Sequence, residues 1–255
     1  MKNTMSDEYL KAVKDFDDYF TITVETGKKY EGMHNLPHNK VFASFVYTAI
    51  TTRAVTLALT TPYSSFNKNT IHWDYASIGG IVRSILENRL TFYYICIEDI
   101  PSEERGVRWD FFQLHDCCSR QKLFTHFSEE ERKNNEGLED QRIEIINRIQ
   151  ANSFFNSFPS KEQNRLLKGK NAFLVPLEDI AVKVGIELNE FRIYYQLMSS
   201  FNHSLPMSLL RMGEQVRGRG IHSQAEESYT MMFLELASKL LKDSTDEYIK
   251  LFNKP

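Results

Sequence analysis

The sequence predicts an all-α protein, a helical bundle of long helices with a short-helix insertion, and three observations carry that prediction. Apolar residues recur at three- and four-residue steps along the chain, as Tyr9, Val13, Phe16 and Phe20 do near its start, which is one stripe of an amphipathic helix. Turn-forming residues gather in short breaks, such as Gly27 to His38 and PYSSFNKNT from Pro62, and leave long uninterrupted segments between them. The β-branched run TITVET at 21–26 has no obvious partner strand. No internal repeat or low-complexity tract is visible.

Composition narrows the function classes. A chain of 255 residues, 42% hydrophobic and 25% charged, is large enough for a sizeable core and has no signature of disorder. A net charge of -3 excludes a surface that is basic throughout and leaves room for a local basic patch. Cys96, Cys117 and Cys118 are an odd set with two neighbours, which fits a reducing cytosol better than a disulfide framework. The N-terminal MKNTMSDEYLKAVKDFDDYF has no apolar core of signal-peptide type. Val41 to Leu59 comes nearest to a membrane span, but Arg53 and several hydroxyl residues interrupt it, so a central helix and no membrane partner are expected. The expected location is cytoplasmic.

Taken in order, a helix from about Asn39 to Thr60 follows the first one, and Trp73 to Ile97 forms the next, ending before Pro101. Val107, Phe111, Leu114 and Cys118 make the core stripe of a fourth. Ser128 and Glu131 have capping-box spacing, as do Ser160 and Gln163. Leu138 to Phe158 reads as one helix stopped by Pro159, and Pro176 to Val184 as a short one. The helix from Leu188 to His203 ends before Pro206, a loop spans Met212 to Gly220, a helix runs from Ser223 to Leu241, and Ser244 with Glu247 caps the last. The expected organisation is one domain over 1–255, with the short elements of about 128–186 as an insertion or lid.

Two polar constellations break the apolar pattern. Arg83 and Glu87, with Leu90 and Tyr94, share one face of a helix that reads as buried, next to Gly79 and Gly80. Desolvated charges must be compensated, so the pair is either a lock on helix register or a site in which Arg83 clamps an anion and Glu87 orients it. Tyr195, Ser199 and His203 fall on one face of another helix at four-residue steps. No nucleophile elbow accompanies the Ser–His pair, which disfavours hydrolase chemistry. Arg211, Arg217, Arg219 and His222 form the best local anion patch. His115 and Cys118 lack the two further ligands that a structural zinc site needs; neither metal nor cofactor is expected.

The spacing Arg83-Ser-Ile-Leu-Glu87, followed by Tyr195-x-x-Met198-Ser199-x-x-x-His203-Ser204, resembles a bacterial helical family of unknown function related to the HEPN superfamily. The resemblance covers about Val41 to Leu241. It implies a helical fold in which Arg83, Glu87, Tyr195, Ser199 and His203 converge, and a toxin or phage-defence effector that acts on RNA or a nucleotide. In that reading Arg83, Tyr195, Arg217 and Arg219 bind phosphate or ligand, and His203, Ser199 and Glu87 carry any ribonuclease-like or nucleotidyl-transfer chemistry. HEPN ribonucleases use an Arg followed by four to six residues and a His, a spacing met here by Arg120 with His126 and by Arg217 with His222. The alternative is a non-enzymatic helical adaptor or sensor whose polar core is structural and whose partner is another protein or a second copy of the chain.

Overall fold

A computed structural model describes residues 5–33, 36–68, 71–129 and 137–253, which contain α-helices and no strand. The chain is organised as two compact units, one made of 1–97 with 181–255 and the other of 98–180.

The first unit opens with α1 (Asp7–Lys29), whose N-terminus is capped by the Ser6 hydroxyl, an acceptor for the Tyr9 amide. Asp7 and Glu8 in its first turn, and Lys28 and Lys29 in its last, complement the helix dipole. The β-branched run at 21–26 continues this helix. Thr23 Oγ1 bonds the Tyr19 carbonyl one turn back and lies 3.1 Å from Thr245 Oγ1 in the core, so packing overrides weak local propensity. Helix α2 (His38–Thr60) follows, and the Tyr47 hydroxyl donates to the Thr23 carbonyl at 3.1 Å. Burial pushes that phenol up to about 12. By length and composition α2 is apolar enough to cross a membrane, and 39% of its most apolar window is buried within the protein.

Helix α3 (Tyr75–Phe92) starts at Asp74, whose side chain accepts from the Ser77 amide, and runs on as a π-helical turn, Tyr93–Ile97. It packs against α2 and against two later helices, α9 (Leu188–Asn202) and α11 (Gln224–Asn253). The two helices expected after Ser223 are the single α11. Ser244 is buried and bonds the Leu240 carbonyl within the helix, and Glu247 pairs with Arg89 of α3 at 2.8 Å; neither acts as a cap. Between α9 and α11 lie α10 (Pro206–Leu210) and a 3-10 turn, Arg211–Gly213.

The second unit holds α4 (Ser102–Phe124), α5 (Leu138–Ala151), α6 (Ser153–Asn156) and α7 (Ser160–Leu166), and α8 (Leu177–Lys183) leads back to the first. The intervening unit thus begins at Glu98, about thirty residues before the expected 128. The reason is packing: Val107, Phe111 and Leu114 of α4 form one apolar cluster with Ile145 and Ile149 of α5. Cys117, fully buried, completes the α4 stripe, and Cys118 is only partly buried. The helix expected to reach Phe158 is interrupted at Asn152, whose side chain caps α6 by accepting from the Phe154 and Phe155 amides. Gly169 has a φ of +63°, and a Cβ there would stand 2.5 Å from Cys118 Sγ, so only glycine fits. The Ser128–Glu131 capping box falls partly outside the described residues.

Arg89 is 2% exposed and its partner Glu247 24%. Glu247→Ala leaves that cation buried without a counter-charge and is expected to lower unfolding stability by about 3 kcal/mol, whereas Arg89→Met combined with Glu247→Leu stays near wild type. Urea unfolding of the three proteins decides it, and equal losses in both variants contradict the assignment. A second expectation concerns acid. Burial opposes ionisation of Glu227, but hydrogen bonds from Ser6 and His222 outweigh it and hold the carboxyl below its usual range. A carboxyl lowered in the folded state adds stability above its unfolded pKa and loses it as pH falls through the lowered value. Glu227→Gln should therefore flatten the acid limb of a plot of Tm against pH; an unchanged limb contradicts this.

Candidate functional site

The site lies on the polar face of α3, between α2 and α9. Helix α9 runs antiparallel to α3, since Tyr195 meets Glu87 while Asn202 meets Gly80. At Gly80 a Cβ would stand 2.4 Å from the Asn202 Oδ1, so a larger residue there would have to push that amide side chain aside. Gly79 takes the Phe233 ring of α11 in the same way, at 2.9 Å. The two glycines thus admit helices at close range, and the space above Gly80 is taken by an amide side chain.

Arg83, Glu87 and Tyr195 close a three-membered ring of hydrogen bonds. Arg83 Nε donates to Glu87 Oε1 at 3.0 Å, Arg83 Nη2 donates to the Tyr195 hydroxyl at 3.0 Å, and that hydroxyl donates to the same Glu87 oxygen at 3.1 Å. The guanidinium also lies 4.5 Å from the centre of the Tyr195 ring, a cation–π contact that fixes the plane of the fork. Arg83 is 14% exposed and Glu87 41%, so the ring is anchored in protein on one side and wet on the other. Burial works against the Arg83 charge, yet the hydrogen bond and attraction of Glu87 outweigh it and raise the guanidinium pKa. Burial, reinforced by the Glu87 charge, raises the Tyr195 phenol, which keeps it protonated and able to donate. Among the described residues Arg83 Nη1 and Glu87 Oε2 make no hydrogen bond within the protein.

The other expected residues are placed differently. Ser199 is half-buried on the α9 face that carries Tyr195, and His203 is exposed at the C-cap. Their link is the backbone bond from the His203 amide to the Ser199 carbonyl at 3.1 Å; no side-chain hydrogen bond joins the pair among the described residues. Arg217 is buried rather than solvated. Its guanidinium donates to the Arg211 carbonyl, the Tyr229 hydroxyl and Glu214, which consumes its donors in fixing the loop. Arg219 is exposed. Neither Arg–His spacing forms a pair: Arg120 bonds Asp116 while His126 lies past the end of α4, and His222 bonds Glu227 at 2.6 Å. Among the described residues no cluster of three or more His, Cys, Asp or Glu could hold a metal ion.

One residue at this face was not singled out by sequence reasoning. Arg53 of α2 donates through Nε to Ser84 Oγ on α3 and through Nη1 to the Ala49 carbonyl at 3.0 Å. The signal available in the sequence was its isolation, as the one charged residue between Val41 and Thr60.

The model of a family of unknown function, DUF5677, matches residues 63–219. No similar curated protein and no similar solved structure is found. The matched stretch includes Arg83, Glu87, Tyr195, Ser199 and His203 and leaves out the whole of α1, α2 and α11. Covering more than half of the chain, the match makes this protein a member of the DUF5677 family of unknown function.

Proposed function

We propose that the α3 face binds a phosphate group of RNA or of a nucleotide, and that the chain is a cytoplasmic, HEPN-like effector of the toxin or phage-defence kind. The observation that carries this reading is the state of Arg83. Its guanidinium is oriented by Glu87 and Tyr195 before any ligand arrives, while Nη1 remains available beside a half-exposed carboxylate. A pre-oriented planar fork suits a phosphate oxygen, because little side-chain entropy is lost on binding. Tyr195 sets the fork and Glu87 holds it. His203, exposed at the end of the same α9 helix, supplies an acid or base for any transfer or cleavage step, with Ser199 one turn before it. Arg219 offers a backbone-neutralising charge, and Arg217 acts by fixing the loop that carries it.

A second reading, a non-enzymatic adaptor, is favoured by one observation. Leu205, Met207, Leu209 and Leu210, in and beside α10, are all exposed large apolar side chains, which is the composition of a protein-contact surface. In that reading the Arg83 ring only locks α3 to α9.

Two variants separate the readings. Arg83→Met keeps the aliphatic stem, and it is expected to weaken binding of a short single-stranded RNA or of ATP about tenfold or more, as loss of a charged hydrogen bond does. Because the pair is partly solvated, its unfolding stability should fall by less than about 1 kcal/mol. Fluorescence anisotropy and thermal unfolding read the two effects. Unchanged affinity together with a large stability loss would overturn the phosphate reading in favour of the lock. His203→Ala, on an exposed side chain, should leave the melting temperature intact while removing RNA cleavage or nucleotidyl transfer; activity that survives it removes His203 from the chemistry.

A further inference from the structure

Arg53 is the cation at this face that the foregoing reading leaves unused. It stands alone among apolar and hydroxyl residues between Val41 and Thr60, and no carboxylate pairs with it among the described residues. The buried arginines elsewhere each have one: Arg89 has Glu247, Arg108 has Glu98 and Glu104, and Arg217 has Glu214. An arginine that merely snorkels from an apolar helix extends its head into water. Arg53 instead folds back on the Ala49 carbonyl and across to Ser84 Oγ, half-buried against α3. Holding a guanidinium at a partly desolvated position without a counter-charge carries a desolvation cost that a bound anion would offset.

Position adds the second argument. Ser84 follows Arg83 directly on α3, so guanidinium groups from α2 and α3 flank a single turn of that helix. Both use Nε for an orienting hydrogen bond and keep part of the terminal fork available. The Asn88 side chain takes the Ser84 carbonyl at 2.6 Å, which stabilises the α3 turn on which Arg53 is seated.

We propose that Arg53 is a second phosphate contact on the α3 face, so that the ligand presents two neighbouring phosphates, one toward Arg83 and one toward Arg53. This rests on the phosphate reading of Arg83. The shared chemistry comes from two sources, the diphosphate of a nucleotide or successive diesters of a single-stranded RNA.

Calorimetric titration of the full chain with ADP, AMP and a short RNA lacking terminal phosphates tests it, using wild type, Arg53→Met and Arg53→Lys. Arg53→Met should weaken ADP or the RNA about tenfold while changing AMP less than threefold, and Arg53→Lys should recover part of the loss because it keeps the charge without the fork. A loss confined to ADP assigns the diphosphate, and a loss confined to RNA assigns the diester backbone; the RNA arm should also show a salt dependence shallower by about one ion. Equal weakening of AMP and ADP, or no weakening of any ligand, overturns the second contact while leaving Arg83 standing. Wild-type protein that binds none of the three overturns both. Thermal unfolding of Arg53→Met in parallel shows whether a loss comes from misfolding, and if it does, Arg53→Lys alone decides: ADP and RNA bound as by wild type, with no fork, overturn the proposal, and an intermediate affinity upholds it.

Discussion

Everything polar on α3 has to be satisfied by α2, α9, α11 or water, because those three helices enclose most of its circumference. That constraint sorts its charges. Arg89 faces α11, is almost wholly desolvated, and is matched by Glu247. Arg83 faces α9 at the wet edge and is held by Glu87 and Tyr195. Ser84, one residue on, faces α2 and receives Arg53. One helix therefore carries a structural ion pair on one side and an oriented, partly open cation on another, separated by a rotation about its axis. The difference in burial makes the first pair the more costly to break and leaves the second in reach of water, as the phosphate proposal requires.

The helical periodicity made the fold class legible, since three- and four-residue stripes such as Tyr9, Val13, Phe16 and Phe20 are buried as their spacing requires. Element ends were less legible. The β-branched 21–26 segment is helical because Thr23 is buried against Thr245, more than two hundred residues away, and no local rule can see that. Ser244 with Glu247 imitates a cap, yet the serine is consumed by its own helix and the glutamate by Arg89. The start of the inserted unit is hard to read from sequence because α4 has the stripe of any core helix, and only its packing on α5 says which core it serves.

At the site the spacing of Arg83 and Glu87, and the face of Tyr195, identified groups that meet. The Arg83–Glu87 pair could be anticipated because four-residue steps fix which side chains share a helix face, whereas the meeting with Tyr195 of α9 was implied only by the family resemblance. Whether Ser199 and His203 also meet could not be read from spacing: His203 ends α9 and its side chain leaves the helix for solvent. The loop arginines were misleading for a related reason, as Arg217 spends its donors on Arg211, Glu214 and Tyr229. Arg53 is hard to find from sequence because a single charge inside an apolar run argues first against a membrane span, and its spacing says nothing of Ser84 on the next helix.

The phosphate proposal requires an Arg83 guanidinium that is held in place and yet still open to a ligand. Side-chain NMR of protein carrying ¹⁵N-labelled arginine tests this most directly, by following the Nε–H signals as ADP is added. The Arg83 and Arg53 signals are expected to be sharp without ligand, since both Nε groups are hydrogen-bonded, and to shift together while those of the ion-paired Arg89 and Arg108 do not. An Arg83 signal that stays fixed at saturating ligand, or a shift confined to exposed arginines such as Arg211 and Arg219, would contradict it.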